Sequence, residues 1–95
     1  MNDTIAAIST PLGEGAIAVL RLSGPGAVEI ADSVFRGKVR ASSVAPRTQH
    51  LGAIFDDERK LDDVLLTVFR APHSYTGEDT VEIAGHGGEI GRAHV

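Results

Sequence analysis

Two charged residues lie within otherwise apolar strand patterns, and their chemistry gives the first indication of function. Glu82 belongs to residues 79–85, where Val81 and Ile83 alternate with polar residues and predict a strand with one buried face. A carboxylate held on such a strand suits two parallel donors, such as a guanidinium or the amide edge of a pterin. The alternative is that Glu82 lies on a solvated strand face that ends in a turn.

Arg21 presents a similar choice on an earlier strand. Residues 16–23 are apolar on both faces, which predicts a strand inside the sheet rather than at its edge. Arg21 shares one of those faces with Ile17 and Val19. An arginine in this position either extends to solvent from the strand end or holds an anionic partner, and the residues alone leave both open.

The segment after Glu82 is rich in glycine and contains a histidine. Gly85-His86-Gly87-Gly88 cannot continue a strand and is typical of a loop that wraps a ligand or opens a helix. His86 could act there as a general base, although such a histidine more often only hydrogen-bonds within a turn. The other histidines, His50, His73 and His94, show no metal-ligand spacing, so we predict no metal site. We also assign no catalytic residue in this chain. No glycine-rich loop ends in Gly-Lys-Ser/Thr, so the pattern of a nucleoside triphosphate P-loop is absent.

Length, charge and residue composition narrow the class of protein. The chain has 95 residues, 42% of them hydrophobic, which is typical of one small globular domain or part of one. Its formal net charge of −4 argues against strong binding to a phosphate backbone by this segment alone. It has no cysteine, no basic leader and no apolar run long enough to span a membrane, so we expect a cytoplasmic protein with no membrane partner. The basic residues Arg36, Lys38, Arg40 and Arg47, in or beside residues 37–46, predict a solvated loop, with weak phosphate or RNA contact as the alternative.

Periodicity and turn residues predict the remaining elements. We expect strands over residues 4–8, 16–23, 48–55, 62–69 and 79–85, and a turn at 75–78. A charged turn at 56–60 should join the third and fourth strands into a hairpin, and the fourth should carry Val64, Leu66 and Val68 on one face. One helix should start near Pro25 and continue to about Phe35, with Gly37 as its C-terminal stop. The predicted fold class is α/β (α+β), with a small mixed sheet of about five strands and one complete helix.

Residues 89–95 break this pattern. After Gly88 an apolar helix should begin, but Gly91 and Arg92 interrupt it. Back-translation of this peptide matches a common short-read sequencing adapter, so we interpret it as a non-native tail. On that hypothesis the native domain covers residues 1–88 and is incomplete at its C-terminal end, and Arg92 and His94 have no function.

Two long blocks of the sequence resemble a known family. Residues 3–24, DTIAAISTPLGEGAIAVLRLSG, resemble the opening of the MnmE (TrmE) family of tRNA-modifying GTPases. Residues 71–88, APHSYTGEDTVEIAGHGG, resemble the second N-terminal block of the same family. The resemblance extends over residues 3–88, with both blocks in the order and spacing of the family.

The resemblance implies a fold, cofactors and partners. The N-terminal domain of the family is similar to the tetrahydrofolate-binding domain of the glycine-cleavage aminomethyltransferase, binds 5-formyl- or 5,10-methylene-tetrahydrofolate, and mediates homodimerisation. With the FAD protein MnmG, family members add an aminomethyl-type group to the wobble uridine of tRNA, with folate as the one-carbon donor. GTP, potassium and magnesium act in a Ras-like GTPase domain that is not part of this sequence. The resemblance therefore implies that this chain alone neither hydrolyses GTP nor modifies tRNA.

The resemblance also implies roles for the two residues considered first. Arg21 and Glu82 match the family's folate-binding arginine and glutamate. Glu82 would accept paired hydrogen bonds from the amino and ring N–H groups of the pterin, and Arg21 would donate to a carbonyl or carboxylate of the folate. Two alternatives remain open: a stand-alone folate-binding domain of the aminomethyltransferase type, and a dimerisation module in which folate has no role.

Overall fold

The computed structural model describes residues 4–8, 17–72 and 77–86. The predictions for residues 75 and 76 of the turn, for Gly87 and Gly88, and for the tail at 89–95 lie outside the described residues. The same holds for the side chains of His73, His86 and His94.

One sheet of six strands forms most of the described chain. The strands are β1 Ile5–Ile8, β2 Ile17–Ser23, β3 Phe35–Gly37, β4 Gln49–Asp56, β5 Arg59–Phe69 and β6 Thr80–His86. They lie in the order β1-β2-β6-β5-β4-β3, and each neighbouring pair is antiparallel. Strand β6 therefore lies between β2 and β5, although a helix and three strands separate it from β2 in the sequence.

The predicted α+β class, the five predicted strands and the hairpin of β4 and β5 are confirmed. The sheet differs from the prediction in having a sixth strand, β3, and in having only antiparallel pairs among its described strands. A three-residue strand is too short to show alternation, and strand direction depends on pairing between distant segments. Strand β5 begins earlier than predicted, so the charged turn is reduced to Asp57 and Glu58. The prediction that Gly85-His86 cannot continue a strand is wrong, because β6 extends to His86 and both residues pair with β2.

Helix α1, Ala27–Val34, covers one face of the sheet. It begins after Gly26, whose amide donates to Thr4 Oγ1 at 2.7 Å. Pro25 consequently lies in the turn before the helix rather than in its first turn. This bond connects the segment before β1 with the start of α1.

The helix ends because the chain turns directly into a strand. Phe35 is extended, with φ −93° and ψ 132°, and pairs with Ile54 at the start of β3. The helix therefore ends one residue earlier than predicted, and Gly37 is a strand residue rather than the helix stop. Among the described residues, α1 does not meet the length and hydropathy needed for a membrane-spanning helix.

The core lies between α1 and the sheet face that it covers. Alternate residues of the strands are buried there, namely Leu20, Leu22, Ile54, Val64, Leu66, Val68, Val81 and Ile83. The helix contributes Ala27, Val28 and Ala31. The predicted alternation in β5 and β6 is thus confirmed. We call the opposite side of the sheet the open face; it carries Val19, Arg21, Gln49, Leu51, Leu65, Thr67, Glu82 and Ala84.

Phe35 packs against Gly52 of β4 at one edge of the sheet. A Cβ atom at Gly52 would lie 2.5 Å from Phe35 Cε1 and 2.7 Å from the carbonyl oxygen of Arg36. Protein interiors do not tolerate such close approach, so this position requires glycine for reasons of space. The guanidinium of Arg36 lies 4.0 Å from the centroid of the Phe55 ring and donates to the Asp57 carbonyl at 2.9 Å, which further links β3 to β4.

Candidate functional site

Arg21 and Glu82 form an ion pair on the open face. They lie directly opposite one another on β2 and β6, although 61 positions separate them in the sequence. Arg21 Nε donates to Glu82 Oε2 at 3.0 Å, and Arg21 Nη2 donates to the same oxygen. The register of the sheet thus brings together the two residues predicted from their chemistry. Of the two alternatives for Arg21, the structure supports the anionic partner, and that partner is Glu82.

Both side chains of this pair are partly withdrawn from water. The side chain of Arg21 is 33% exposed and that of Glu82 is 19% exposed. The Lys60–Asp63 pair is a useful contrast, because its side chains are 50% and 66% exposed while its ions are 2.7 Å apart. Exposed pairs add little stability, whereas a half-buried charge is costly to leave unpaired. Arg21 and Glu82 therefore hold each other in place more firmly than a surface pair does.

The pair leaves hydrogen-bonding capacity on the carboxylate. The Nε and Nη2 bonds from Arg21 to Glu82 both end on Oε2, so Arg21 leaves Oε1 as an acceptor for another donor. A ligand with two parallel donors needs both oxygens and must share or displace the Arg21 contact. A ligand that also carries an anionic group would give Arg21 a replacement partner.

Two rows of side chains cross the open face side by side. The first row, in register across β2, β6, β5 and β4, consists of Arg21, Glu82, Thr67 and Gln49. The second row lies two residues along each strand and consists of Val19, Ala84, Leu65 and Leu51. The second row is apolar and accessible, since Leu65 is 40% exposed and Leu51 is 73% exposed. The ion pair therefore borders an apolar surface.

Sequence reasoning did not identify this apolar row. The alternation of β5 does place Leu65 on the face opposite to Val64 and Leu66. That signal shows which face Leu65 belongs to, but it does not show which strand lies beside it. The row could not be predicted because its members come from four strands whose register is a property of the folded sheet.

A separate cleft lies where β2 ends and β6 begins. It has a volume of about 300 Å³ and is lined by Pro25, Ala71, Gly77, Glu78 and Asp79. Asp79 shapes its wall, because Oδ1 accepts from the Ala71 amide at 2.9 Å and Oδ2 accepts from Arg70 Nη1 at 3.2 Å. Neither Arg21 nor Glu82 lines this cleft, so it is distinct from the ion pair.

The basic segment at 37–46 is partly built into the fold. It contains a 3-10 turn at Ala41–Ser43 where we predicted only a loop. Asp32 of α1 accepts from the Ser42 amide at 3.0 Å and lies 3.6 Å from Arg40. Burial raises the pKa of Asp32, whereas the Ser42 hydrogen bonds and the Arg40 charge lower it. The lowering effects together outweigh burial, so the pKa lies below its ordinary value. Weak contact of this segment with phosphate or RNA stays a prediction.

Among the histidines, the described side chain is that of His50. Its Nε2 lies 2.7 Å from Thr48 Oγ1, which itself donates to the Ala45 carbonyl at 2.6 Å. In the part of the chain that the structure describes, no three His, Cys, Asp or Glu side chains are grouped so that they could hold a metal ion.

Comparison with known proteins places the chain among N-terminal regions of one family. The family model described as "GTP-binding protein TrmE N-terminus" matches residues 4–95. The chain is similar to proteins named "tRNA modification GTPase MnmE", with 54% identity over 87 residues in Chlamydia caviae, 58% over 86 in Lactococcus lactis subsp. cremoris and 52% over 89 in Christiangramia forsetii. These matches cover 92%, 90% and 92% of the chain. They cover 19% of each relative, so the chain spans about a fifth of the length of the curated relatives it matches.

Proposed function

The chain belongs to the family described as GTP-binding protein TrmE N-terminus, and from this premise we propose that it is the folate-binding part of a tRNA-modifying GTPase. The larger protein, with an FAD partner of the MnmG type, adds an aminomethyl-type group to the wobble uridine of tRNA in the cytoplasm. GTP, potassium and magnesium act in a GTPase domain outside these 95 residues, so the chain alone is inactive. The observation that carries the folate assignment is the half-buried ion pair of Arg21 and Glu82.

The residues of the ion pair fit a tetrahydrofolate. A pterin has neighbouring amino and ring N–H donors on one edge, and Glu82 Oε1 is an acceptor that Arg21 leaves to another donor. The glutamate carboxylates of a folate offer Arg21 an anionic partner if the pterin takes its place on Glu82. This donor and acceptor set supports 5-formyl- or 5,10-methylene-tetrahydrofolate as the ligand.

In this proposal the two residues bind and orient the ligand. Glu82 orients the pterin through its donor edge, and Arg21 binds a carbonyl or carboxylate of the folate. Bound folate supplies the one-carbon unit. Because β2 and β6 each pair with strands on both sides, the backbones that carry Arg21 and Glu82 are held in place on either side of the pair.

The test is calorimetric titration of 5-formyl-tetrahydrofolate into the full-length protein that carries this chain. We expect Glu82→Gln and Arg21→Gln each to weaken binding by about 10- to 100-fold, because each removes a charge-assisted hydrogen bond. Asp63→Asn is the matched control, since it neutralises the carboxylate of an exposed pair. Wild-type protein that binds no folate, or variants that bind as tightly as wild type, would reject the assignment.

A second candidate function is homodimerisation through this chain, with no role for folate. It is favoured by the large apolar side chains that are exposed on the strands, Ile5 at 64%, Leu51 at 73% and Leu65 at 40%. Sedimentation equilibrium of the wild type and of Leu51→Asp, each with and without folate, separates the two candidates. A dimer that Leu51→Asp disrupts, in a protein without any folate signal, would favour the dimerisation module.

The remaining alternative is a stand-alone folate-binding domain of the aminomethyltransferase type. Membership of the TrmE family favours the GTPase instead. Long-read sequencing of the genomic locus beyond the codon for Gly88 decides between them. A reading frame that continues into a Gly-x-x-x-x-Gly-Lys-Ser/Thr loop supports the GTPase, and a frame without such a loop supports the stand-alone domain.

A further inference from the structure

The positive charge of the chain is concentrated in one segment. Residues 36–47 contain four of the nine basic residues, namely Arg36, Lys38, Arg40 and Arg47, and none of the 13 acidic residues. The segment therefore has a formal charge of +4, whereas the rest of the chain has a charge of −8 and makes the net charge −4. A polyanion responds to the local field, so the acidic remainder repels it and favours contact at this segment.

Residues 36–47, which we call the basic edge, lie at the edge of the sheet opposite to β1. They leave β3, the outermost strand, pass through the 3-10 turn at Ala41–Ser43 and return to β4. Ala41 and Val44 attach this connection to the core, because they are only 0% and 6% exposed. All four basic residues are exposed. The fold thus presents four cations on a connection whose backbone is anchored in the core.

Two of these cations remain accessible although they have contacts within the fold. The guanidinium of Arg40 lies 3.6 Å from Asp32, but the Arg40 side chain is 78% exposed while that of Asp32 is 13% exposed. The cation therefore faces water, and the carboxylate is withdrawn from it. Arg36 stacks on Phe55 and donates to the main-chain carbonyl of Asp57, which carries no formal charge. A guanidinium has further N–H donors, so both arginines can still bind an anion.

The other two cations have no carboxylate partner among the described residues, namely Lys38 and Arg47. Arg47 has a φ of 63°, a left-handed conformation that glycine and asparagine adopt more readily than arginine. Its amide donates to the Val68 carbonyl at 2.8 Å, and this bond does not involve the side chain. Backbone preference thus does not explain an arginine at this position, whereas a role for its charge does.

The composition of the basic edge suits a phosphate backbone better than a nucleic-acid base. Ser43 on the connection and Gln49 directly after it are exposed, and hydroxyl and amide groups commonly contact phosphate and sugar oxygens. Residues 36–47 contain no Phe, Tyr or Trp that could stack on an unpaired base. Contact through this surface would therefore position a nucleic acid without reading its sequence.

We propose that the basic edge binds the phosphate backbone of a tRNA, chiefly through Lys38, Arg40 and Arg47. The choice of tRNA rests on the proposed function, and the inference goes beyond it by assigning to this chain an RNA surface separate from the candidate site. Arg36 contributes less, because it lies beside the acidic turn that joins β4 and β5. The four cations replace the counterions of the phosphates, so the affinity must fall as salt rises.

The first experiment measures how a fluorescent tRNA transcript with a wobble uridine binds to the full-length protein, by anisotropy at a series of salt concentrations. Lys38→Gln should weaken binding by about threefold to tenfold and reduce the slope of log affinity against log salt by about 1. Lys60→Gln is the matched control, because it makes the same change at an exposed lysine whose charge is balanced by Asp63 at 2.7 Å. Its affinity and slope should equal those of the wild type. Equal losses from the two variants, or no tRNA binding by the wild type at low salt, would overturn the proposal.

The second experiment separates binding from folding. Arg47→Asn removes a cation at a position whose left-handed backbone suits asparagine, so urea unfolding should show no loss of stability. Its tRNA affinity should nevertheless fall by about threefold to tenfold. Combining it with Lys38→Gln should reduce the salt slope by about 2. Wild-type affinity for tRNA in both Arg47→Asn and the double variant would reject the basic edge as an RNA surface.

Folate titration of the same variants keeps this proposal distinct from the proposed function. The affinity for 5-formyl-tetrahydrofolate should be unchanged in Lys38→Gln and Arg47→Asn, because the basic edge joins β3 to β4 and the candidate site lies on β2 and β6. Folate binding by a protein whose tRNA affinity ignores both changes rejects the basic edge alone, and leaves an acidic protein surface as its partner. A tRNA affinity that responds to both changes, in a protein that binds no folate, supports the basic edge and rejects the folate assignment.

Discussion

Leu65 and Leu66 are neighbours in β5 with identical side chains, yet they belong to two different regions of the molecule. Leu66 is 0% exposed on the face that α1 covers, where it lies opposite Ile83. Leu65 is 40% exposed on the open face, where it lies opposite Ala84. The difference shows that one strand contributes both to the core and to an accessible surface. A shift of one residue in the register of the strand would exchange its buried and exposed side chains.

The same division holds across the central strands. Leu20 and Ile83 pair on the covered face, and the next pair, Arg21 and Glu82, lies on the open face. Burial of the first pair stabilises the fold, because apolar area is removed from water. The second pair contributes chemistry, and its positions are held by the same packed backbone. Stability and the proposed binding therefore depend on alternate residues of the same segments.

The largest expected effect is the difference in stability loss between truncating Leu66 on the covered face and truncating Leu65 on the open face. Leu66→Ala should lower the free energy of unfolding by about 2–5 kcal/mol, because it leaves a cavity in the core. Leu65→Ala should lower it by about 0.5 kcal/mol or less, because the side chain is already in contact with water. Urea unfolding of both variants measures this difference. Similar losses would mean that another part of the protein covers the open face.

Gly52→Ala tests the close contact between Gly52 of β4 and the ring of Phe35 at the edge of the sheet. The added methyl overlaps the ring of Phe35, so we expect a loss of about 1–3 kcal/mol in the free energy of unfolding. Phe35→Leu replaces the ring with a smaller side chain and so relieves the overlap. The loss of unfolding free energy in the double variant should therefore be about 1 kcal/mol smaller than the sum of the two single losses. Strict additivity in a double-mutant cycle of urea unfolding would show that the two residues do not compete for the same space.

A pH-dependent effect is expected at Asp32, which connects α1 with the 3-10 turn. Burial raises its pKa, but the Ser42 hydrogen bonds and Arg40 together lower it by more, so the pKa in the folded state lies below the ordinary 3.8. A depressed pKa contributes stability that is present above the unfolded pKa and lost as the pH falls through the folded pKa. Asp32→Asn should therefore cost about 1 kcal/mol near neutral pH and progressively less below about pH 4.

Urea unfolding of the wild type and of Asp32→Asn at a series of pH values measures this dependence. Ser33→Ala is a suitable control on the same helix, because the Ser33 hydroxyl donates only to the Ile30 carbonyl in an exposed position. Its effect should not vary with pH. A cost of Asp32→Asn that is the same at all pH values would contradict the assigned direction of the pKa.

The smallest effect is expected for the exposed pair of Lys60 and Asp63. Lys60→Gln should change the free energy of unfolding by about 0.5 kcal/mol or less, because water screens both partners. High salt should reduce even that difference. A loss comparable to that of Leu66→Ala, again measured by urea unfolding, would show that exposure is a poor guide to the value of a charge pair in this sheet.

Much of the secondary structure could be predicted from local patterns. Alternation in β5 and β6 placed Val64, Leu66, Val81 and Ile83 on a buried face, and the structure buries all four. The short strand β3 could not be predicted in this way. Phe35 continues the helical periodicity of α1, and its extended conformation is stabilised by pairing with Ile54 of β4.

The candidate site could be predicted only as two unconnected residues. Arg21 and Glu82 attract attention because each carries a charge in an apolar strand pattern. Their contact depends on the pairing of β2 with β6 rather than with β4 or β5, and local periodicity does not contain that information.

The amino-acid sequence by itself determined five of the six strands, which alternate residues of β5 and β6 are buried, and which two side chains carry unusual chemistry. These properties depend on residue type and local spacing, so the sequence expresses them directly. Only the tertiary structure decided that Arg21 lies opposite Glu82, that the carboxylate keeps one oxygen for another donor, and that Ala84 lies between Val19 and Leu65. The physical reason is that register is chosen by pairing distant strands and packing one face of them against α1, and that choice places every residue on the other face.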